Sequence, residues 1–203
     1  MSRWEPNARE RLEQAAMQLY AEHGFDQTTV AEIAARAGLT ERTFFRYFAD
    51  KREVLFGGQS AMQELFSATI AKAPTDSAPL DAVAAALAVV APVLEQRREI
   101  ARQRQSLIVA HRELRERELI KLASLATIVA EALRRRGVSE PSASLVAETG
   151  IAVFRVAFER WVEDPEQKPL SRHIRESLSA LKAASRGKPA KRAKPKLAPK
   201  RRK

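Results

Sequence analysis

Apolar residues recur along most of this 203-residue chain at the three- and four-residue spacing of an amphipathic helix. The first segment carries one apolar stripe, formed by Leu12, Ala15, Ala16, Leu19 and Tyr20. Strand signals are nearly absent, because the chain has no Asn-Gly or Asp-Gly hairpin dipeptide and no lasting two-residue alternation. The pattern therefore predicts an all-α protein of about nine helices.

Helix-end signals near the N-terminus predict three short helices. The first ends at Gly24, a residue that readily takes the left-handed conformation of a C-cap. Thr29 and Glu32 form a capping box at the start of the second. Thr40 is suited to cap the third, which runs to about Phe48.

A second capping-box pattern, from Asp50 to Glu53, predicts the start of a longer helix that carries apolar residues from Leu55 to Ile70. Gly57 and Gly58 lie inside this helix, where two glycines cost about 1–2 kcal/mol relative to alanine. We interpret them as a place where the helix bends or packs closely. Packing against a bulky neighbour is the simpler alternative.

The rest of the chain predicts further helices separated by short breaks. A loop is expected between residues 73 and 79. Helices are expected at about 79–95, 98–110, 112–136 and 141–163, followed by a last one with Ile174, Leu178 and Leu181 on one face.

The net charge of +11 comes almost entirely from the C-terminus. Residues 185–203 contain ten of the 36 basic residues and no acidic one, which leaves 26 basic against 25 acidic residues in 1–184. The composition of this tail is typical of disorder, and its charge can attract DNA without regard to sequence. Any specific DNA-binding surface in the folded part must therefore be a local patch.

Several kinds of chemistry are disfavoured by what the sequence lacks. The absence of cysteine excludes disulfides, thiolate metal sites and cysteine nucleophiles. The three histidines, His23, His111 and His173, are widely separated, and no phosphate-binding glycine pattern, HExxH motif or nucleophile elbow is present. We therefore expect no enzyme activity, metal or cofactor.

No membrane association is expected either. The N-terminus lacks the apolar region of a secretory signal. The longest apolar stretch, residues 82–94, has 13 residues and is interrupted by Pro92, which makes it too short to span a bilayer. A cytoplasmic location is the expectation that follows.

A dense series of motifs occupies the region from residue 24 to residue 51: Gly24-Phe25-Asp26-Gln27-Thr28-Thr29-Val30-Ala31-Glu32-Ile33-Ala34, then Ala37-Gly38-Leu39-Thr40, then Thr43-Phe44-Phe45-Arg46-Tyr47-Phe48 and Lys51. In order and spacing the series resembles the DNA-binding head of the TetR (tetracycline-repressor-like) family, over about residues 8–56. The resemblance implies a sequence-specific transcriptional regulator. It further implies that this regulator is a repressor. Such a repressor would leave a palindromic operator in double-stranded DNA when a small, largely apolar effector binds.

The resemblance also implies a division of the chain. A helix-turn-helix DNA-binding domain is expected at 8–50, with the motif itself at about 29–48. A helical ligand-binding and dimerisation domain follows at 51–184, and the basic tail at 185–203. The alternative is a nonspecific nucleoid-type protein that uses the tail. Protection of a defined palindrome in a footprint would distinguish the regulator from that alternative.

A short second helix is useful in DNA recognition because its first residues can enter the major groove. We expect Thr40, Arg42 and Thr43 to reach base edges. Arg42 is the best candidate for a guanine, since a guanidinium can donate twice to one base. Arg46 would face the same groove or its phosphate wall, and Thr29 would offer its hydroxyl to a phosphate.

The resemblance places a backbone phosphate on Tyr47 and Lys51. A cation in the first turn of a helix opposes the helix dipole, and a bound phosphate would reverse that penalty. The chain departs from the family at Phe45, where members often have a tyrosine whose hydroxyl holds a phosphate. Either Arg46 compensates or the head makes one fewer backbone contact.

The predicted helix at 141–163 is apolar over most of its circumference, so two of its sides should be buried. We expect one side to meet a second copy of the chain, in agreement with the four-helix dimer interface that the resemblance implies. A central helix in a monomer is the alternative. The candidate interface residues are Leu145, Ala147, Gly150, Val153, Ile174, Leu178 and Leu181.

A ligand cavity is expected between the helices of residues 54–136 and the inward side of the helix at 141–163. The candidate lining residues are Met62, Phe66, Leu94, Arg104, Ile108, His111, Phe154 and Phe158. We interpret Gly57 and Gly58 as the place where ligand occupancy is transmitted to the heads.

Arginines at 97, 98, 102 and 104 lie beside this apolar body. In this respect the body resembles the family branch that senses acyl-coenzyme-A-like ligands, in which arginines would meet the phosphates. The alternative, which we favour slightly, is that these arginines are solvated or pair with Glu99 and other carboxylates.

Overall fold

The structure, a computed structural model, describes residues 7–186 and contains helices but no strand in that range. The nine α-helices are α1 (Ala8–His23), α2 (Val30–Arg36), α3 (Glu41–Tyr47), α4 (Gln59–Lys72), α5 (Pro79–Glu95), α6 (Arg98–Ala110), α7 (Arg112–Arg135), α8 (Ser142–Val162) and α9 (Leu170–Ser185). The all-α prediction is confirmed. Nearly all of the basic tail predicted at 185–203 lies outside the described residues.

The ends of the first three helices form as the local signals predict. Gly24 follows α1 with φ 83°, a conformation that favours glycine. Thr29 and Glu32 form the reciprocal capping box of α2, and the Thr40 side chain accepts a hydrogen bond from the Thr43 N–H at the start of α3. The three helices pack together as the head of the molecule.

The connection from the head to α4 differs from the prediction. The single helix expected across residues 50–70 is wrong, because the chain makes a 3₁₀ turn at Glu53–Phe56, the linker turn, and starts α4 only after Gly57 and Gly58. Three consecutive apolar side chains of the turn are buried: Val54, Leu55 and Phe56. All three belong to the head core, so the chain is covered on several sides at this point.

The predicted capping box at the start of the linker turn is also only half formed. Asp50 Oδ1 accepts hydrogen bonds from the N–H groups of Arg52, at 2.8 Å, and Glu53, at 3.1 Å. The Glu53 carboxylate does not reach back but pairs with Arg117 and Lys121 of α7. This carboxylate therefore ties the linker turn to the body.

The head core contains side chains from the distant α6–α7 connection. Ile108 of α6 and Leu114 of α7 are buried in the same cluster as Leu19 and Phe44 of the head. The ring of His111, between α6 and α7, lies 5.0 Å from the ring of Phe25. The tip of the α6–α7 hairpin thus completes the head interior.

The larger core lies among α4, α5, α7, α8 and α9, with α8 packed against α5, α7 and α9. Trp161 of α8 is almost fully buried, and Arg98 of α6 lies over its ring. In residues 7–186, no single helix is long and apolar enough to cross a bilayer. Only α5 and α6 taken together reach that length and hydropathy, and they are bent by 97°.

Candidate DNA-binding face and effector cavity

The aromatic side chains in and next to the third helix lie on two sides, some in the head core and some in solvent. Phe44 and Phe48 are buried, as their spacing predicts, whereas Phe45 is 55% exposed and Tyr47 is 36% exposed. Arg42 is exposed in the first turn of α3 and has no hydrogen-bond or ion-pair partner within residues 7–186. One face of α3 is therefore anchored and the opposite face is available for contact.

The other polar groups of α3 contact one another. The Arg46 guanidinium lies 4.9 Å over the Tyr47 ring and donates to the Tyr47 hydroxyl at 3.1 Å. The hydroxyls of Thr40 and Thr43 are 3.1 Å apart, next to the cap hydrogen bond between the same residues. These contacts fix the orientation of the side chains that surround Arg42.

The Thr29 hydroxyl both donates and accepts a hydrogen bond within the capping box of α2. It donates to Glu32 Oε2 at 2.9 Å and accepts from the Glu32 N–H at 3.2 Å. Hydrogen bonds from the backbone N–H and hydroxyl of Thr29 hold the pKa of the Glu32 carboxyl below its ordinary value. A negative charge thus already occupies the start of α2, where the sequence predicts a phosphate.

Lys51 also differs from its expected placement. Its ammonium points into the loop between α1 and α2 and donates to the carbonyl oxygens of Phe25, Asp26 and Thr28 at 2.8, 3.0 and 2.9 Å. All three of its donors therefore have protein acceptors. The helix it was expected to begin is instead the linker turn.

A cavity of about 250 Å³ lies between the head and the body. Five of the predicted lining residues line it: Met62, Leu94, Arg104, Phe154 and Phe158. Phe66, Ile108 and His111 do not, because Phe66 faces the body core and the other two residues pack against the head. The prediction that these three residues line the cavity is therefore wrong.

One wall of the cavity was not predicted from the sequence. Glu13 and Met17 of α1 contribute to the lining, together with the linker turn and the two glycines that follow it. Met17 packs beside the apolar stripe of α1 rather than within it. No local periodicity indicates that these residues face the body, because that relationship depends on how the linker turn directs the chain.

Charged groups are concentrated where the head meets the cavity. Arg104 Nε donates to the Leu55 carbonyl oxygen at 2.6 Å, and the two terminal nitrogens of the same side chain pair with the Glu118 carboxylate. The guanidinium also lies 4.9 Å over the Phe56 ring. Arg104 thus bridges α6, α7 and the linker turn in a single set of contacts.

Three of the four arginines follow the alternative, since Arg97 is exposed and Arg102 and Arg104 pair with carboxylates, whereas Arg98 does neither. Arg98 donates to the carbonyl oxygens of Trp161, Asp164 and Lys168. Arg102 forms an exposed pair with Glu99, and Arg104 is paired as described above. Arg97 lines the cavity mouth, is exposed, and has no hydrogen-bond or ion-pair partner in the part of the chain that the structure describes.

Most of the predicted interface residues of α8 and α9 are buried within the chain itself. Ala147, Gly150, Val153 and Ile174 belong to the body core, because α5, α7 and α9 cover that side of α8. Leu178 and Leu181 are half-buried against the same core, and only Leu145 is well exposed. The close approach at Gly150 is to Val83 of α5, which corrects its expected role between two copies.

Two family models match the chain. Residues 13–56 match bacterial regulatory proteins of the tetR family, and residues 77–186 match the MftR C-terminal domain. The second match alone covers more than half of the 203 residues.

Two relatives are regulators by name. TcmR, an HTH-type transcriptional regulator from Streptomyces glaucescens, is 38% identical over 82 residues, which are 40% of this chain and 36% of TcmR. The matched region thus spans about a third of that relative's length. MftR from Mycobacterium tuberculosis, named for the regulation of mycofactocin biosynthesis, is 28% identical over 156 residues, or 75% of this chain and 79% of MftR.

A solved structure has the same architecture. Thermus thermophilus FadR, a TetR-family transcriptional repressor in complex with lauroyl-CoA, has a TM-score of 0.56 and 24% identity. The match covers 94% of this chain and 100% of that one. At this level of identity the likeness shows the fold.

Proposed function

This chain belongs to the TetR family of bacterial transcriptional regulators, and from that premise we propose that it is a homodimeric repressor released from a palindromic operator by a small, largely apolar effector. Its head would bind double-stranded DNA and its body the effector. The observation that carries the proposal is the cavity shared by the two parts, which has α1 and the linker turn on one side and α7 and α8 on the other.

A molecule in this cavity would touch head and body at once. Met17 and Leu55 lie on the head side, whereas Leu122 and Phe158 lie on the body side. Filling the space would favour one placement of the head on the body, while DNA favours the placement that matches its half-site spacing. The affinities for effector and operator are then coupled, and each ligand weakens the binding of the other by the same factor.

On this proposal, α3 is the recognition helix. Arg42 would donate twice to a guanine, and Phe45, which lacks a hydroxyl, would contact a thymine methyl group. The proposed contact residues of the head, Lys51 apart, are Thr29, Thr40, Arg42, Thr43, Phe45, Arg46 and Tyr47. To donate to a phosphate, the Thr29 hydroxyl must give up its hydrogen bond to the Glu32 carboxylate. Of the proposed contacts, this one therefore requires the largest local rearrangement.

The proposed dimer uses the outward face of α8. Leu145 is 63% exposed, Val156 is 42% exposed, and Ala152 between them is exposed. Positions 145, 152 and 156 fall on one stripe of an α-helix. Against a second copy this stripe would be covered, together with the outer parts of Leu178 and Leu181 on α9. Two heads about one DNA turn apart can then read a palindrome.

The proposed effector has an apolar part and an anionic part. Leu125, Phe154 and Phe158 provide an apolar depth, and Arg97 provides an exposed cation at the mouth. An acyl-CoA-like molecule is the class we propose, with its acyl chain inside and its phosphates toward Arg97. The cavity is slightly below the range of about 300–1,000 Å³ usual for ligand pockets, so a long chain requires it to open.

Selection from a randomised DNA library, followed by footprinting, tests the DNA-binding part. We expect a palindrome with half-sites about one helical turn apart. Uniform coating of DNA would support the nucleoid-type alternative. Transcription in vitro from a promoter carrying the selected site then tests repression.

The effector part is tested by titrating an acyl-CoA series into the complex with the selected duplex, with free coenzyme A as the control. We expect release by acyl-CoA and no release by coenzyme A alone. Arg97→Ala should weaken the response while leaving operator affinity unchanged. If no member of the series raises the melting temperature of the protein, the proposed effector class is wrong.

A further inference from the structure

We propose that Lys51 is a positioning residue of the helix-turn-helix and not a ligand of a DNA phosphate. Its ammonium holds the α1–α2 loop, and through that loop it sets the placement of α2 and α3 on the head. The inference rests on the proposed DNA-binding function and assigns one of its candidate contact residues a different role.

The loop between α1 and α2 cannot satisfy its own carbonyl groups. It has only the residues between His23 and Val30, and the carbonyl oxygens of Phe25, Asp26 and Thr28 converge on one point. Backbone acceptors that are removed from water need a donor, and this applies to the buried residues Phe25 and Thr28 but not to the exposed Asp26. The Thr28 hydroxyl satisfies Gly24 at 2.8 Å, and Lys51 Nζ satisfies the other three. Without the ammonium, the Asp26 oxygen could accept from water, whereas the Phe25 and Thr28 oxygens would lose their donor at a part-buried position.

Further contacts hold the partly exposed lysine in this position. Its ammonium lies 4.7 Å over the Phe25 ring, which is itself 98% buried. Its own carbonyl oxygen accepts a hydrogen bond from the Tyr20 hydroxyl at 2.6 Å. The Phe25 ring is contacted from other directions by Tyr20 and by His111 of the body. Lys51 is therefore part of the packing that joins α1, the α1–α2 loop and the α6–α7 tip.

This arrangement affects the recognition helix through a short path. Thr28 is 99% buried and lies two residues before Val30, where α2 begins. The second helix packs against the third, so the entry point of α2 determines the direction of the exposed face of α3. An ammonium has three donors, all in use here, and a phosphate would have to displace a carbonyl contact to bind it.

The test compares two variants, Lys51→Arg and Lys51→Met, with wild type. Arginine keeps the charge but replaces the compact ammonium by a planar fork that does not fit three converging carbonyls. Lys72→Met, which removes an exposed lysine in the last turn of α4, is the inert control. Arg46→Met is the control for a cation on the proposed DNA face.

The affinity of each variant is measured for two duplexes of the same length, the one selected by the wild-type protein and a scrambled one. The measurements are made at several salt concentrations and below the melting temperature of each variant. We expect both Lys51 variants to lose about tenfold or more in the ratio of the two affinities. The slope of log K against log[salt] should stay at the wild-type value, whereas Arg46→Met, which removes one cation from each of the two heads of the proposed dimer, should reduce it by about 1.8.

Three results would overturn the inference. The first is that Lys51→Arg binds like wild type, while Lys51→Met binds both duplexes more weakly with a salt slope lower by about 1.8, which would make Lys51 a phosphate ligand in each head. A lower melting temperature with an unchanged affinity ratio would make its role structural only. If the wild-type protein selects no sequence, the proposed function itself fails, and the inference fails with it. That result is distinguishable because it does not depend on any variant.

Discussion

Gly150 of α8 lies so close to Val83 of α5 that a β-carbon at position 150 would overlap the valine Cγ1 atom. Both residues are buried in the body core. Valine is branched at Cβ and stiff, so it cannot swing aside at low cost. Gly150→Ala should therefore lower the free energy of unfolding by about 1–3 kcal/mol, measured by urea denaturation.

The second member of the pair provides the control. In a Val83→Ala background the overlapping atom is gone, and Gly150→Ala should be neutral or stabilising by up to about 1 kcal/mol, because alanine favours the helix. A double-mutant cycle measures this coupling. An equal cost of Gly150→Ala in both backgrounds would show that the close approach is unimportant.

Dimerisation should respond to a different set of residues on the same helix. Val156→Glu places a charge on the exposed stripe of α8 and should dissociate the proposed dimer, as measured by sedimentation or light scattering. The matched control is Arg155→Glu, a charge change at a neighbouring exposed position. A Val156→Glu protein of unchanged mass in solution would exclude this face as the interface.

The glycine pair of the linker is expected to tolerate alanine unequally. Both have negative φ, −58° at Gly57 and −83° at Gly58, so the backbone accepts a side chain. No atom lies within 4 Å of a β-carbon at Gly58, whereas one at Gly57 would overlap the Glu13 carboxylate of α1. Gly58→Ala should stabilise the protein by about 0.4–1 kcal/mol through the unfolded state.

Gly57→Ala should instead push Glu13 away from the linker and change the effector concentration needed to release DNA. The comparison with Gly58→Ala, assayed by effector titration of the same duplex, isolates that contact. Identical release curves for both single variants and wild type would show that the junction does not transmit ligand occupancy.

Stability should depend on the ionisation of Asp164 in the α8–α9 connection. Burial alone would raise the pKa of this carboxyl, but hydrogen bonds from the N–H groups of Glu166 and Lys168, and the contact with His173, outweigh it and hold the pKa below its ordinary value. A depressed pKa contributes stability above the unfolded-state value of about 3.9, and this contribution is lost as pH falls through the folded-state value.

Asp164→Asn should therefore lower the melting temperature at pH 7, and the difference from wild type should shrink as pH falls below about 4. Asp76→Asn, in an exposed loop, serves as the control and should have no effect at either pH. A deficit of Asp164→Asn that stays constant down to pH 3 would mean that the charge is not what stabilises the connection.

Arg42→Ala tests base recognition by α3. The variant should lose about 1–3 kcal/mol of affinity per half-site, or about 2–6 kcal/mol for the whole selected duplex, and become indifferent to one base pair in each half-site, because a bidentate guanine contact is removed from each. Its melting temperature should be unchanged, since the side chain has no partner within residues 7–186. An equal loss on every DNA sequence would indicate a phosphate contact instead.

The ends of the first three helices and the division of α3 into a buried and an exposed face could be predicted because their causes are local. The capping box at Thr29, the cap at Thr40 and the left-handed Gly24 each act within a few residues of sequence. The alternation of Phe44 inward and Phe45 outward likewise follows from helical spacing. Such features form wherever the same short pattern occurs.

The linker turn and the cavity could not be predicted, because their causes are distant in sequence. Glu53 leaves its capping position for α7, and Arg104 reaches the Leu55 carbonyl group across 49 residues. A helix apolar on two sides, as α8 is, does not reveal which side meets another helix of the same chain. The pairing of Gly150 with Val83 decides that question, and only the folded chain displays it.

Completion of the head interior by Ile108 and Leu114 has a consequence for protein engineering. A chimaera that transplants residues 7–56 onto an unrelated regulator would leave a gap where these two side chains belong. The chimaera should become stable only when the corresponding helical hairpin of the recipient protein is redesigned to supply side chains in the places of Ile108 and Leu114. Operator preference in such proteins therefore cannot be exchanged as a self-contained cassette.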